Sequence, residues 1–354
     1  MNTKSLTTMI AAGILAITLT ACGGSNSDHA AGKKTSSVST PATSTPHPSS
    51  SLLPEPSGPL AVGVRTVPNV APDATTRLWY PARRGTGSGA PDYVDRASVA
   101  KLGVTMSQVA QVRPRASVDA VPVPTRTARP AVVLMPGWGS PMALSTALAQ
   151  DLASNGYVVV AIDPTPGTED GNAMPADPAN PARRLDQVGA GIDFAAGRQV
   201  GTLAGPVDAD RIAVGGHSIA GAIAYQVAIT DPRVRAVFDL DGWLHGSALT
   251  TPVTLPALMI DASGLEPGTK AVIARTADAV TVQLHGATHG DVTDLPCIAP
   301  ALGSMAKLLG LGTIGCTGTT TTKTVVRRFL DAVLEHDAAT PSAATLSSGL
   351  QGVA

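Results

Sequence analysis

Six short runs along the middle of the chain are apolar at almost every position, and amphipathic stretches separate them. They are Ala131–Met135, Tyr157–Ile162, Ile212–Val214, Val234–Leu240, Ala257–Ile260 and Val280–Leu284. A strand apolar on both sides is buried on both faces, which is the situation in a parallel sheet covered by helices above and below. Parallel neighbours also need crossover connections. Helical periodicity fills those connections in Met142–Ser154, Ala182–Ala196, the stretch from Ser218 through Ile229, and Thr324–Leu334. The fold class implied is α/β, a doubly wound and mostly parallel central sheet with helices on both faces. Leu60–Val67 and Thr76–Tyr80 read as earlier strands. Hydrophobic residues make up 44% of the 354 residues, enough for one large core, and residues 58–336 are expected to form a single domain. The Pro-rich segment from about Gly85 to Arg129 is long for a connection and is expected to hold one short helix, near Ala97–Gln111.

The ends read differently. Lys4 precedes an apolar run, Met9 to Leu19, that has the length of a signal-peptide core and is too short to span a bilayer comfortably. It ends in Leu19-Thr20-Ala21-Cys22, which resembles the bacterial lipobox. Residues 1–22 are therefore expected to be a lipoprotein signal peptide, with Cys22 lipidated as the mature N-terminus. The alternative is an ordinary secretory signal with a fortuitous Cys. Each buried acyl methylene contributes about 0.8 kcal/mol, so the two or three chains of a bacterial lipoprotein would hold the domain at a membrane surface. Residues 23–57 are rich in Ser, Thr and Pro and are expected to be a disordered tether; residues 337–354 are expected to be a disordered tail.

With Cys22 acylated, Cys297 and Cys316 remain as an even pair in an exported chain, and a disulfide between them is expected. The loop it closes is of a length for which chain entropy gives about 3 kcal/mol. The formal net charge is −1 and the Lys and Arg residues are scattered, so no basic stripe exists to hold nucleic acid.

The chemistry concentrates in Ile212-Ala213-Val214-Gly215-Gly216-His217-Ser218-Ile219-Ala220-Gly221, a serine set between a buried strand and a helix and flanked by very small residues. That is the pattern of a nucleophile elbow, where a sharp turn lifts the hydroxyl above the sheet. It reads G-x-S-x-A, one methyl group away from G-x-S-x-G. Upstream, Leu134-Met135-Pro136-Gly137-Trp138-Gly139-Ser140 lies between a strand and a helix, where backbone amides can stabilise an oxyanion. The expected donors are the amides of Trp138 and Ile219.

A serine hydroxyl needs a base, which in this chain order follows the last strand. His289 in His285-Gly286-Ala287-Thr288-His289 is favoured over His285, which abuts the strand. The acid that orients the base belongs at the end of an intervening strand, and Asp241 and Asp261 both occupy such ends. Asp239, one step inside its strand, is expected to be structural.

Taken together, Gly58-Pro59-Leu60-Ala61-Val62-Gly63-Val64-Arg65, Leu78-Trp79-Tyr80-Pro81-Ala82, the Pro-Gly-Trp-Gly loop, Leu152 to Val160, the Gly-His-Ser elbow, Leu240-Asp241-Gly242-Trp243 and Gly-Ala-Thr-His resemble the α/β-hydrolase superfamily. The nearest branch is that of the platelet-activating factor acetylhydrolases and chlorophyllase-like esterases and lipases. The resemblance covers roughly residues 58–336 and departs from the family at Ala220 and at Pro136, where many relatives carry histidine. It implies Asp241 as the acid and His289 as the base. Together with the lipobox, the expectation is a monomeric serine esterase that needs no metal or organic cofactor, acts on a small-molecule or lipid ester, and is anchored through Cys22 at the outer face of the cell membrane. Two other readings stand beside it: a polyester or cutin hydrolase that takes Asp261 as its acid, and a catalytically silent lipoprotein that binds at the cell surface.

Overall fold

The computed structural model describes residues 52–96, 98–165 and 179–353. Among these, nine strands form one sheet: β1 (Ala61–Val67), β2 (Ala74–Ala82), β3 (Ser117–Val118), β4 (Arg129–Met135), β5 (Val158–Pro164), β6 (Val207–His217), β7 (Val234–Leu240), β8 (Ala257–Asp261) and β9 (Ala279–Gln283). Their spatial order is β3-β1-β2-β5-β4-β6-β7-β8-β9. The six apolar runs become the contiguous block β5-β4-β6-β7-β8-β9, parallel throughout, while β1 and β2 pair antiparallel at the other side.

The helices are α1 (Met106–Val109), α2 (Thr146–Ser154), α3 (Ala179–Ala196), α4 (Arg198–Ala204), α5 (Ile219–Thr230), α6 (Pro267–Ile273), α7 (Leu295–Leu302), α8 (Thr317–Leu330) and α9 (Ala343–Ser347). Strand side chains alternate between two cores. Val133, Val160 and Val214 pack with Val188 and Ile192 of α3 and Ile223 of α5; Val132, Val159 and Phe238 pack with Leu152 of α2 and Val325 and Phe329 of α8. Both faces of the sheet are thus covered, as the double-sided apolar pattern requires. Among the described residues no helix is long and apolar enough to cross a membrane.

Strand order reverses at β4, which has β5 on one side and β6 on the other. The carboxyl ends of β4 and β6 therefore open a crevice at the switch point, the usual place for a site in an open α/β sheet.

The structure corrects the two boundaries of the domain. Residues 52–57, assigned to the tether, pack onto it: Leu53 is buried, Ser57 donates from its backbone and hydroxyl to Asp151, and Lys323 Nζ donates to the Glu55 carbonyl. The paired leucines at 52 and 53 give this end an apolar anchor that the average composition concealed. Residues 337–353, assigned to a disordered tail, carry α9. Leu346 is buried against α8, Arg328 donates to the Leu346 and Ser348 carbonyls, and Leu284 and Val353 form a bridge beside the exposed edge strand β9. Residues 1–51, with the signal peptide, Cys22 and most of the tether, lie outside the described residues.

Cys297 and Cys316 form the expected disulfide, 19 residues apart. The expected helix near Ala97–Gln111 is a 3₁₀ turn at Val99–Leu102 followed by α1.

Candidate active site

The candidate catalytic residues sit at the carboxyl ends of strands or in the loops that follow them. β6 runs three residues further than its apolar segment, because Gly215, Gly216 and His217 continue in register with Phe238, Asp239 and Leu240. Ser218 follows at φ 59° and ψ −129°, a left-handed conformation rarely adopted by an L side chain, and α5 begins at the next residue. The surrounding glycines make this turn possible. A Cβ on Gly216 would lie 2.5 Å from the Met135 carbonyl oxygen and 2.6 Å from the Ala220 Cβ. The extra methyl of Ala220, the departure from the commoner glycine, therefore occupies the space that Gly216 leaves.

The loop after β4 approaches from the other side of the switch point. A Cβ on Gly137 would stand 2.8 Å from His217 Nδ1 and 3.3 Å from the Ser218 Cβ, so loop and elbow are in close contact. Trp138 follows Gly137, and Ile219 opens α5 in the first turn, where backbone N–H groups have no intrahelical acceptor. These are the two amides singled out as oxyanion donors.

His289 Nδ1 donates to Asp241 Oδ2 at 2.7 Å, and the His289 ring is half exposed while the Asp241 side chain is fully buried. Asp241 is itself at φ 58° just past β7. Its Oδ1 accepts the backbone N–H groups of Ala262 (2.6 Å) and Ser263 (2.9 Å), and its Oδ2 also accepts the Ser263 hydroxyl at 2.6 Å. Burial alone would raise its pKa. The hydrogen bonds from His289 and Ser263 and the charge of His289 outweigh burial and hold Asp241 below the usual carboxylate range. Asp241 is therefore ionised at neutral pH.

Asp261, the other candidate acid, ends β8 and accepts the Gly264 N–H at 2.7 Å; it closes its own turn and makes no hydrogen bond to His289. The alternative triad is thereby corrected: the loop after β9 brings His289 to Asp241 and not to the carboxylate one strand further along. His285, the alternative base, is exposed, and its backbone N–H pairs with the Gly352 carbonyl, so it belongs to the seam between β9 and the C-terminal segment. Asp239 is structural as expected. Its carboxyl is buried beneath the elbow, accepts the Gly242 N–H at 2.7 Å, and fills the space left by Gly221 and Gly242. Burial, above all, and the nearby Asp241 charge push its pKa well above the usual carboxylate value.

Three site residues carried no obvious sequence signal. Ser263 completes the shell around Asp241. His217 Nε2 donates to the His289 carbonyl at 2.9 Å, and the two imidazole rings lie 4.5 Å apart. Burial, then the His289 charge, lower its pKa to about 3, so His217 stays neutral beside a base that must become cationic. Arg184 of α3 donates to the Pro136 and Gly137 carbonyls beneath the oxyanion loop. Its spacing offered a hint: it shares a stripe with Val188 and Ile192, four and eight residues on, where a charge is out of place.

No hydrogen bond joins Ser218 Oγ to His289 in this structure, and the His289 ring is committed to Asp241 through Nδ1; such a contact often tightens only when substrate binds. The arrangement places an ionised acid, an oriented imidazole and a strained serine around one crevice, with two candidate amides beside them. It has the parts for nucleophilic acyl transfer.

Comparison with known proteins agrees. A family described as PET hydrolase-like matches residues 119–266. Cutinase 1 of Thermobifida cellulosilytica is 32% identical over 132 residues, 37% of this chain and 46% of that protein. The bis(hydroxyethyl) terephthalate hydrolase of Streptomyces coelicolor is 30% identical over 168 residues, 45% of this chain and 50% of that protein. The chain spans about half the length of the curated relatives it matches. Among solved structures, a ferulic acid esterase from Streptomyces cinnamoneus superposes with a TM-score of 0.68 at 27% identity, covering 85% of this chain and 98% of that one.

Proposed function

We propose that this chain, an α/β-hydrolase, is a serine hydrolase that cleaves carboxylic esters through an acyl-enzyme at Ser218. The observation that carries the reading is the 2.7 Å bond from His289 Nδ1 to the buried, ionised Asp241, beside a serine held at positive φ. With its Nδ1 proton committed to Asp241, the His289 ring presents Nε2 as the free base. His289 takes the Ser218 proton as Oγ attacks the ester carbonyl, and the amides of Trp138 and Ile219 hold the oxyanion. The tetrahedral adduct collapses, and the alcohol leaves with the proton from His289. Water, deprotonated by the same histidine, then attacks the acyl-enzyme; the acid departs and Ser218 recovers its proton.

The substrate class is a neutral ester of short-acyl or lipid type. The test is an ester panel of increasing acyl length, with Ser218→Ala alongside. Turnover that vanishes in the variant is the expected result, and rates insensitive to the substitution would overturn the reading. A polyester substrate is the second reading, favoured by the names of the cutinase and terephthalate-ester hydrolase relatives. It no longer requires Asp261. Release of soluble ester fragments from a polyester film would support it.

The export reading rests on Lys4, the run from Met9 to Leu19 and the Leu-Thr-Ala-Cys22 ending, with the Cys297–Cys316 disulfide in keeping with an oxidising compartment. Cys22 receives the lipid, and the enzyme sits, as a monomer, at the outer face of the bacterial membrane. Metabolic incorporation of labelled fatty acid into wild type but not Cys22→Ser tests it; equal labelling contradicts it.

A further inference from the structure

Arg184 is among the largest fully buried side chains described, with 1% of its surface exposed. Its guanidinium reaches the loop after β4. Nη1 donates to the Pro136 carbonyl at 2.6 Å, Nη2 to the Gly137 carbonyl at 3.1 Å, and the guanidinium carbon stands 5.7 Å from the centroid of the Trp138 ring. A planar fork thus grips two successive carbonyls, and its cationic face is directed toward the indole that follows them. The Gly137 oxygen also accepts the Ser140 N–H at 3.2 Å, which closes the loop into a turn.

The Gly137 carbonyl and the Trp138 N–H belong to one peptide unit. In a trans peptide the two groups point in opposite directions, and resonance couples them. A cation drawing electron density from the oxygen makes the N–H a stronger donor, and holding the oxygen against α3 turns the N–H to the other side of the loop. Charge-assisted hydrogen bonds are roughly twice as strong as neutral ones, so this hold is firm. No cis peptide occurs among the described residues.

We propose that Arg184 is a positioning residue for ester hydrolysis: from beneath the loop it orients and polarises the 137–138 peptide whose N–H receives the oxyanion. The inference rests on the serine-hydrolase reading above. Preorganised donors act because they need no reorientation when charge develops, and here the preorganising group is a buried arginine on the crossover helix. Lysine, with a single point of contact, would reproduce the charge but not the two-carbonyl grip.

The test compares Arg184→Lys and Arg184→Gln with wild type and Ser218→Ala on a soluble ester across pH. Removing a whole oxyanion donor costs 10²–10³ in kcat, so loss of its support is expected to lower kcat by about 30-fold in Arg184→Gln. KM and the pH midpoint of the base should be unchanged, and Arg184→Lys should recover part of the loss. A folded variant with wild-type kcat, or a loss confined to KM, or a shifted pH midpoint would overturn the proposal.

A spectroscopic readout runs in parallel. Gly-Trp occurs at 137–138 and 242–243, and the third tryptophan, Trp79, follows Leu78. Carbonyl-¹³C glycine with ¹⁵N tryptophan therefore yields two cross-peaks, identified by the loss of one in Trp243→Phe. The Gly137–Trp138 peak should lie downfield of the other in wild type and move in both Arg184 variants while its companion stays. Should neither variant fold, the wild-type spectrum decides, because coincident carbonyl shifts would refute the polarisation. If wild type is no faster than Ser218→Ala, the hydrolase reading fails and takes this inference with it; an active wild type with unaffected Arg184 variants removes this inference alone.

Discussion

Replacing Asp241 by asparagine changes one atom in a shell where every partner is a donor. Oδ1 accepts two backbone N–H groups, from Ala262 and Ser263, and these fix which way an amide would settle. The asparagine oxygen takes that side, which turns its NH₂ toward His289 Nδ1 and the Ser263 hydroxyl, where Asp241 Oδ2 now accepts both bonds. Nδ1 must then become the acceptor, so the ring proton moves to Nε2 and the lone pair that should deprotonate Ser218 is gone. Loss of the correct tautomer in a triad costs about 10⁴-fold in kcat, or about 5 kcal/mol in the barrier. The backbone bonds survive, so the variant is expected to fold. Asp261→Asn is the control: its oxygen still accepts the Gly264 N–H, and kcat should hardly move. The assay is kcat on a chromogenic ester with thermal melting for both variants. Asp241→Asn retaining a tenth of wild-type activity, or Asp261→Asn losing as much as Asp241→Asn, would refute the reasoning.

The buried Asp239 gives a stability prediction with a definite sign. Its folded pKa is raised, so the folded chain keeps a proton that the unfolded chain has released, and stability falls as pH rises from about 4, the ordinary carboxylate value. Asp239→Asn, which mimics the protonated acid, should flatten that fall in urea midpoints measured between pH 4 and 8; parallel profiles would contradict it. Removing the disulfide with serines at 297 and 316 should cost about 3 kcal/mol in chemical denaturation. The same loop supplies the Gly312 N–H to Asp291 and the Thr313 N–H to Gly286, so activity should be lost at lower temperature too; an unchanged profile would argue against this. Leu346→Ala should cost about 2–4 kcal/mol, and a neutral result would return the C-terminal segment to the disordered state expected of it.

The contrast between Ser218 and Arg184 shows what the sequence made legible. The elbow was readable because its constraint is local: a strand, a turn too tight for large side chains, and a helix occupy ten consecutive residues. The parallel sheet was readable for a similar reason, since burial on both faces writes itself into short apolar runs. Choosing between Asp241 and Asp261 from pattern alone was not possible, because both end a strand and the decision lies in which carboxylate the β9 loop reaches. Only the family resemblance pointed to Asp241. Arg184, Ser263 and His217 act through contacts 22 to 72 residues away in the chain, and no window contains both partners. The ordered tail was missed for the opposite reason: its composition is that of a loop, and one buried leucine with a few backbone hydrogen bonds sufficed to dock it.

The most direct test of the central claim is to treat the protein with a fluorophosphonate and locate the adduct by peptide mass spectrometry. A single adduct on Ser218, absent in Ser218→Ala and formed far more slowly in Asp241→Asn, is the result expected. Labelling at another residue, or none under conditions that label a known serine esterase, would contradict the account.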